Sequence, residues 1–204
     1  ASMPNIKVGK FITQVILQNI EVEDIDLSNA TDLRSAWVQN NPALQKLDLS
    51  YSTIWGQGDK ETEGNGTYGS SLMVLGCPIL KEIKLPEKNE LKAYRIDIEC
   101  LDALETFDMS NVKMVAELSI GDLNKDFNLV YPELTIFYSE DGYAGTYFAC
   151  SENTFYREST QAFLKANYTD IDPDDTVRRL GYTSSLSYDK NKGCRWRTLL
   201  KKQK

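Results

Sequence analysis

The sequence predicts a β-rich α/β solenoid, in which a right-handed coil of parallel strands is closed by a C-terminal α+β cap. Three observations predict it: a short apolar phrase recurs along the chain, neighbouring copies lie 11 residues apart, and the composition changes after residue 139. A fixed period is the signature of a solenoid, because each repeat buries its apolar face only by packing on its neighbours. We expect residues 1–139 to form the solenoid, with an inserted loop at 55–71, and residues 140–204 to form the cap.

The recurring phrase consists of an apolar residue, two others, a second apolar residue, one other, and a third apolar residue. Its copies begin at Phe11, Val22, Leu33 and Leu44 and, after an interruption, at Leu80, Leu91, Leu104, Val115 and Leu134. Alternate copies end in a turn residue, as in "DLS", "KLP" and "DMS", so each coil contains two copies and two short extended segments. We expect the apolar positions to point inward in aligned columns, one of which contains Leu47, Ile83 and Phe107.

Charged residues lie between the apolar positions and are predicted to face solvent. One outward column contains Asp26, Asp48, Lys84 and Asp108. Opposite charges on adjacent strands, about 4.8 Å apart, attract each other. Two interpretations stay open: the column is a solvated surface whose charges compensate each other, or it is part of a binding face.

The phrases "NPALQKLDLS", "CPILKEIKLP" and "CLDALETFDMS" resemble leucine-rich repeats. The second one matches the C-x-x-L-x-x-I-x-I-P pattern of the BspA-like bacterial subfamily at Cys77, Leu80, Ile83, Leu85 and Pro86. In the neighbouring copies Asn41 takes the place of the cysteine, and Cys100 is offset by one residue. The resemblance covers about residues 11–139. It implies a secreted or cell-surface bacterial protein that works in adhesion or protein binding.

Composition excludes several classes of protein. The chain contains no histidine, which removes Ser-His-Asp and Cys-His nucleophile systems and every histidine-containing metal site. The excess of 30 acidic over 23 basic residues gives a net charge of -7, which disfavours nucleic acid as a partner. No apolar run is long enough to cross a bilayer, so we expect no membrane insertion, and we expect a monomer. The first residues lack the layout of a secretory signal, which leaves a cytoplasmic protein or a secreted one whose signal is not part of this sequence.

The four cysteines form no C-x-x-C pair, so a structural zinc site is not expected. Cys77 and Cys100 occupy nearly equivalent repeat positions and are predicted to be reduced and buried at corners of the coil. Cys150 and Cys194 are the one pair considered for a disulfide bridge.

The inserted loop carries two aromatic residues, Trp55 and Tyr68. Insertions in solenoids often carry the contact with a partner, and an aromatic side chain on a loop anchors a protein interface or lies flat on a sugar. The alternative for Trp55 is that it packs beneath the loop. Residues 64–69 match G-x-G-x-x-G, but a charged segment precedes them instead of a buried strand, so we do not expect a dinucleotide site.

Beyond residue 140 the sequence predicts a cap. Residues 157–167 are predicted to form a helix with Ala162, Phe163 and Ala166 toward the core. Residues 169–182 are predicted to include a shorter helix with Asp172 as its N-cap, and residues near the C-terminus to form a closing hairpin. An acidic cluster fails the EF-hand pattern, and helix capping explains most of it, although calcium binding stays open. Its members are Asp170, Asp172, Asp174 and Asp175.

These observations favour a non-catalytic module that binds a protein or a surface glycan, without cofactor or metal. We expect Trp55 and Tyr68 to be the main contacts, with Asp48 and Lys84 supporting them from the sheet face. One alternative is a carboxylate-based hydrolase acting on glycans, in which aspartates of the outward column serve as acid and base. A second alternative is a purely structural spacer.

Overall fold

The computed structural model of the chain describes residues 3–57, 69–123, 127–135, 139–140, 143–144, 147–167 and 198–199. The strands are β1 (Met3–Lys7), β2 (Gln14–Gln18), β3 (Val22–Asp26), β4 (Ser35–Gln39), β5 (Lys46–Asp48), β6 (Ser71–Leu75), β7 (Glu82–Lys84), β8 (Leu91–Leu101), β9 (Thr106–Asp108), β10 (Val112–Leu123), β11 (Asn128–Val130), β12 (Ser139–Glu140), β13 (Tyr143–Ala144), β14 (Tyr147–Cys150) and β15 (Thr198–Leu199). The helices are α1 (Glu152–Phe155) and α2 (Glu158–Asn167).

From β4 to β11, consecutive strands alternate between two sheets. A seven-stranded sheet has the order β15-β14-β10-β8-β6-β4-β2, and a four-stranded sheet has the order β11-β9-β7-β5. β1 and β3 form a separate parallel pair. The described strand pairs are parallel except β14–β15 and β12–β13, which are antiparallel. The prediction of a β-rich chain with parallel sheets and few helices is confirmed.

In both sheets, the difference in residue number between paired residues on adjacent strands, here called the step, changes in the same way along the chain. Ser35 pairs with Ser71 in the larger sheet and Lys46 with Glu82 in the smaller one, a step of 36 residues in both. The next step is 24 residues in both sheets, and the one after it is 22. An insertion into one strand-to-strand connection therefore shifts both sheets together.

Alternation of apolar and polar residues explains how the strands bury one side. In β4, Ala36 and Val38 are buried, whereas Ser35, Trp37 and Gln39 are half-buried. Both sheets contribute to one hydrophobic cluster, in which Leu47, Ile83 and Phe107 occupy aligned positions, as predicted. The larger sheet contributes to this cluster Val15, Ala36, Leu72, Ile96, Leu118 and Phe148.

Residues in the left-handed backbone conformation recur at equivalent positions where strands of the larger sheet end. Asn19, Asn40, Gly76 and Cys100 have φ values of 54°, 53°, 63° and 56°. The backbone N–H of the first three donates to the next strand, at Gln39, Leu75 and Glu99. The Asn40 side-chain amide also donates to Asn19 Oδ1 over 2.8 Å. Asparagine and glycine are the residues that adopt this conformation at least cost.

Phe11 does not occupy an inward position, so that part of the prediction is wrong. Its side chain is 82% exposed, and the Lys10 ammonium lies 5.8 Å from the ring centroid. The register explains the difference, because Gln14 pairs with Ser35 at a step of 21 and places Ile12 at the level of Leu33. Ile12 is itself 44% exposed, since no described strand lies on that side of β2.

The C-terminal part is described only in pieces. The predicted helix at 157–167 is confirmed as α2, and Phe163 is buried, but Ala162 and Ala166 are exposed and Leu164 takes the inward position instead. Phe163 stacks on Tyr131 with 4.6 Å between ring centroids. The predicted shorter helix, the acidic cluster at 170–175, Cys194 and most of the predicted hairpin lie outside the described residues. No helix in the described part is long and apolar enough to cross a membrane.

Cys77 and Cys100 are reduced. Cys77 is buried, as predicted, and burial raises the pKa of its thiol to about 11. Cys100 is only half-buried, which corrects the prediction, because its neighbour Leu101 takes the inward position. Cys150 is buried, and its predicted partner Cys194 lies outside the described residues, so the bridge stays a prediction.

Candidate functional site

Asp48 and Lys84 lie opposite each other on β5 and β7. Asp48 Oδ2 is 3.6 Å from Lys46 Nζ, and Lys46 Nζ is 3.3 Å from Glu82 Oε2 on the next strand. Lys84 Nζ is 3.0 Å from Glu87 Oε1. The predicted compensation of charge between these strands is confirmed. A surface whose charges are already paired has little net field with which to attract a charged partner.

The aspartates of this outward column hold turns. The carboxylates of Asp26, Asp48 and Asp108 accept the backbone N–H of Ser28, Ser50 and Ser110 over 2.9, 3.0 and 2.8 Å. The remaining member of the column is Lys84, and the residue two positions after it is Pro86, which has no N–H to donate. A carboxylate is thus present where the turn needs an acceptor and absent where it does not.

The same hydrogen bonds keep these carboxylates charged. Hydrogen bonds from Ser28 hold the pKa of Asp26 below its usual value. Partial burial alone would raise the pKa of Asp48, but hydrogen bonds from Ser50 and the nearby lysines outweigh burial and lower it. A general acid must be protonated near the working pH, so these two aspartates are unsuited to that role.

Trp55 is a core residue, so the prediction that it offers an exposed ring to a partner is wrong. Its side chain is 0% exposed, and Nε1 donates to the Ser71 carbonyl over 3.3 Å. Its backbone N–H donates to Ser52 Oγ, which in turn donates to the Leu33 carbonyl. Tyr68 lies outside the described residues, and its contact role stays a prediction.

An apolar stripe crosses the outer face of the seven-stranded sheet. It consists of Ile16, Trp37 and Met73, which lie at the same level on β2, β4 and β6. Ile16 is 48% exposed, and the other two are half-buried. The positions above and below the stripe on the first two strands are polar: Gln14, Ser35, Gln18 and Gln39. Sequence reasoning missed the stripe, although alternation between buried Ala36 and Val38 indicates an outward Trp37.

Two glutamines fix the edge of the indole. Trp37 Nε1 donates to Gln39 Oε1 over 3.2 Å, and Gln18 Nε2 donates to the same oxygen over 3.3 Å. The second bond joins β2 to β4 and holds the Gln39 side chain that accepts from the indole, so the ring has a fixed orientation. A fixed aromatic side chain loses little conformational entropy on binding, which favours it as an interface anchor.

Beyond Met73 the stripe ends at a buried charged group on β8 and β10. Asp97 lies level with Met73 and is 0% exposed. Arg95 Nη2 is 3.3 Å from Asp97 Oδ2, and Arg95 Nε is 3.4 Å from Glu117 Oε2. Ser119 Oγ donates to Glu99 Oε1 over 2.9 Å. Sequence reasoning also missed this group. Asp97 and Glu99 are buried, and each has a carboxylate oxygen in contact with a neighbouring side chain, so they do not form an open acid–base pair.

A groove of about 520 Å³ lies between residues 129–134 and α2. Its lining is largely apolar and includes Tyr131, Ala162 and Phe163. The Tyr131 hydroxyl lies 2.9 Å from Thr160 Oγ1, and burial raises its pKa. Glu133 is the one titratable carboxylate among the lining residues that the structure describes. The groove therefore lacks the pair of groups that acid–base chemistry needs.

Neither metal ligands among the described residues nor similarity to known proteins indicates a function for this site. In the part of the chain that the structure describes, no three Cys, Asp or Glu side chains are placed to hold a metal ion together. Comparison of the chain with protein-family models, curated proteins and solved structures finds no match.

Proposed function

We propose that this chain is a non-catalytic binding module that recognises a partner through the outer face of its seven-stranded sheet. The apolar stripe of Ile16, Trp37 and Met73 carries the proposal. Apolar side chains that stay accessible at one level on three adjacent strands, bordered by polar residues, have the composition of an interface core with its rim.

The proposed scaffold is a right-handed solenoid with a C-terminal cap. Three features support it: strands alternate between two sheets, both sheets advance by equal steps, and left-handed residues recur at equivalent positions. Contacts of Phe163 with Tyr131 and Phe148 support α2 as part of the cap. Each proposed coil has two strands, whereas a leucine-rich repeat has one strand and a helical segment. This difference counts against the resemblance to the BspA-like subfamily, which stays a prediction.

A protein is the partner that the stripe favours. Trp37 and Met73 are residue types enriched in interface cores, and the polar side chains that border the stripe on β2 and β4 are uncharged amides and a hydroxyl. A surface glycan is the second candidate, favoured by the fixed indole beside Gln18 and Gln39, since sugars combine an apolar face with hydroxyls that bond to amides. The resemblance adds the proposal of a secreted or cell-surface location.

Two alternatives have less support. A carboxylate-based hydrolase needs an accessible pair of carboxyl groups. The aspartates at 26, 48 and 108 instead hold turns, and Asp97 and Glu99 are buried. A structural spacer would lack any partner for the stripe.

The proposal is tested by selecting ligands for the intact chain from a displayed peptide library and a glycan array, then measuring the affinity of each ligand for variants. Trp37→Ala should weaken binding by about 1 to 3 kcal/mol, roughly ten- to a hundredfold in Kd, because an interface anchor is lost. Tyr51→Ala removes another exposed aromatic, 48% accessible and not part of the stripe, and is the matched control.

Each outcome of this test is informative. Peptide ligands that depend on Trp37 support a protein partner, and sugars that depend on it support a glycan. The proposal fails if no ligand is selected, which favours the spacer, or if Trp37→Ala and Tyr51→Ala bind equally well.

A further inference from the structure

The free edge of β2 is an open end of the seven-stranded sheet. Among the described strands β2 pairs only with β4, and the last strand at the opposite end of the sheet is the antiparallel β15. Exposed sheet edges are usually protected by lysine, proline or a bulge. Residues 14–18, "QVILQ", contain none of these and pair with β4 in unbroken register.

The backbone groups that face this open edge can be identified. The Thr13 carbonyl accepts the N–H of Ser35, and the N–H of Asn19 donates to Gln39, so both residues bond toward β4. Directions alternate along a strand, and the odd-numbered residues between them bond the same way. The N–H and C=O groups of Gln14, Ile16 and Gln18 therefore point to the open edge.

The strand is self-complementary when it is paired antiparallel with a copy of itself. With Ile16 opposite Ile16 of the second copy, Gln14 lies opposite Gln18 and Val15 opposite Leu17. Polar residues meet polar ones, and apolar residues meet apolar ones. The Ile16–Ile16 pair and the two Gln14–Gln18 pairs are the ones whose N–H and C=O groups point to the open edge, so each of these three pairs exchanges two backbone hydrogen bonds.

The segments flanking β2 complement each other in the same arrangement. Antiparallel pairing places the turn before β2 in one copy beside the corner after β2 in the other. The turn carries the exposed Lys10, and the corner carries the exposed Glu21. Phe11 and Ile12, 82% and 44% exposed, lie in the same turn and supply apolar area to cover.

We propose that the chain forms a two-fold symmetric dimer by antiparallel pairing of β2 with β2 of a second copy, in place of the monomer expected from the sequence. The contact is isologous, which is the commonest way for two identical chains to associate. It joins the two sheets into one and brings the two Ile16 side chains together, so that the apolar stripes of both copies become continuous.

The experiment measures the mass of the intact chain by sedimentation velocity over about 1 to 100 μM, a range in which a micromolar dimer dissociates and forms. The expected mass at high concentration is twice the 23.1 kDa of one chain. Two double variants then test the register. Gln14→Lys with Gln18→Lys places lysine opposite lysine in both outer pairs, whereas Gln14→Glu with Gln18→Lys places glutamate opposite lysine.

We expect the Lys/Lys variant to have a dimer Kd at least about tenfold higher than the Glu/Lys variant, because like charges directly opposite repel. Both variants change exposed side chains at the same positions, and equal circular dichroism spectra and melting temperatures confirm that they fold alike. Monomer at every concentration overturns the proposal, as does a dimer with the same Kd in both variants. Both variants replace Gln18, which bonds to Gln39 beside the indole, so this change is common to them, and the dimer is measured without ligand, which keeps the result separate from the ligand-binding test.

Discussion

At the scale of single residues, the positive φ of the residues that follow strands of the larger sheet decides which side chains fit there. Asn19, Asn40 and Gly76 all adopt positive φ where a strand of the larger sheet ends. A Cβ atom added to Gly76 would lie 2.8 Å from Asn40 Oδ1, closer than real Cβ contacts allow. Because the Asn40 amide also donates to Asn19, a change at residue 76 disturbs the two preceding corners.

We predict that Gly76→Ala lowers the free energy of unfolding by about 1 to 3 kcal/mol, from left-handed strain in a residue with a Cβ and from the contact with Asn40. Urea unfolding measures it. Gly9→Ala is the matched control, because nothing lies within 4 Å of its added Cβ and its φ is not positive. Equal stability of the two variants would contradict the explanation.

At the scale of elements, the short strands β3, β5 and β9 are each followed by a turn whose acceptor is the aspartate at the last position of the strand. Asp48 provides that acceptor after β5 through its bond to the Ser50 N–H. The folded state lowers the pKa of Asp48, so the charged form stabilises the fold. This stabilisation is present above the unfolded pKa of about 4 and is lost as pH falls through the folded value.

Two substitutions separate the hydrogen bond from the charge. Asp48→Ala removes both, and we expect a loss of about 0.5 to 1.5 kcal/mol at pH 7. Asp48→Asn keeps an oxygen acceptor and should lose less. The difference in free energy of unfolding between wild type and Asp48→Asn should become smaller from pH 5 to pH 2, because the wild-type carboxylate becomes protonated in this range. Urea unfolding across this range checks it, and a difference that grows toward low pH would show that the sign is wrong.

At the scale of the whole molecule, the fold accommodates insertions because both sheets shift by the same step. The segment 58–68 falls within the longest step, and its flanks are held together where the Gly56 N–H donates to Ser70 Oγ over 2.7 Å. Loop length between ends that are already close has a small effect on stability, since the closure entropy changes only slowly with length.

Replacing residues 58–68 with a short Gly-Ser linker should therefore change the free energy of unfolding by less than about 1 kcal/mol. Leu47→Ala, which opens a cavity between the sheets, should cost about 2 to 5 kcal/mol and serves as the contrast. Chemical denaturation compares the two. The shortened chain also tests Tyr68: unchanged ligand affinity would remove Tyr68 from the contact residues.

The sequence by itself determined the features that depend on local order. Repetition of the apolar phrase predicted parallel strands and the aligned burial of Leu47, Ile83 and Phe107, and helical periodicity predicted α2, because alternation and spacing are properties of neighbouring residues. The turn residues after the short strands were also visible in "DLS" and "DMS".

Only the tertiary structure decided which side chains stay exposed. Trp55 appeared to be a loop residue, but it is buried, because the segment before residue 58 packs under the start of β6. Trp37 and Met73 become neighbours only through a strand pairing that spans an insertion, and no fixed period aligns them. Phe11 repeats the phrase of Leu33, yet it is exposed, since burial requires a neighbouring strand and the free edge of β2 has none among the described strands.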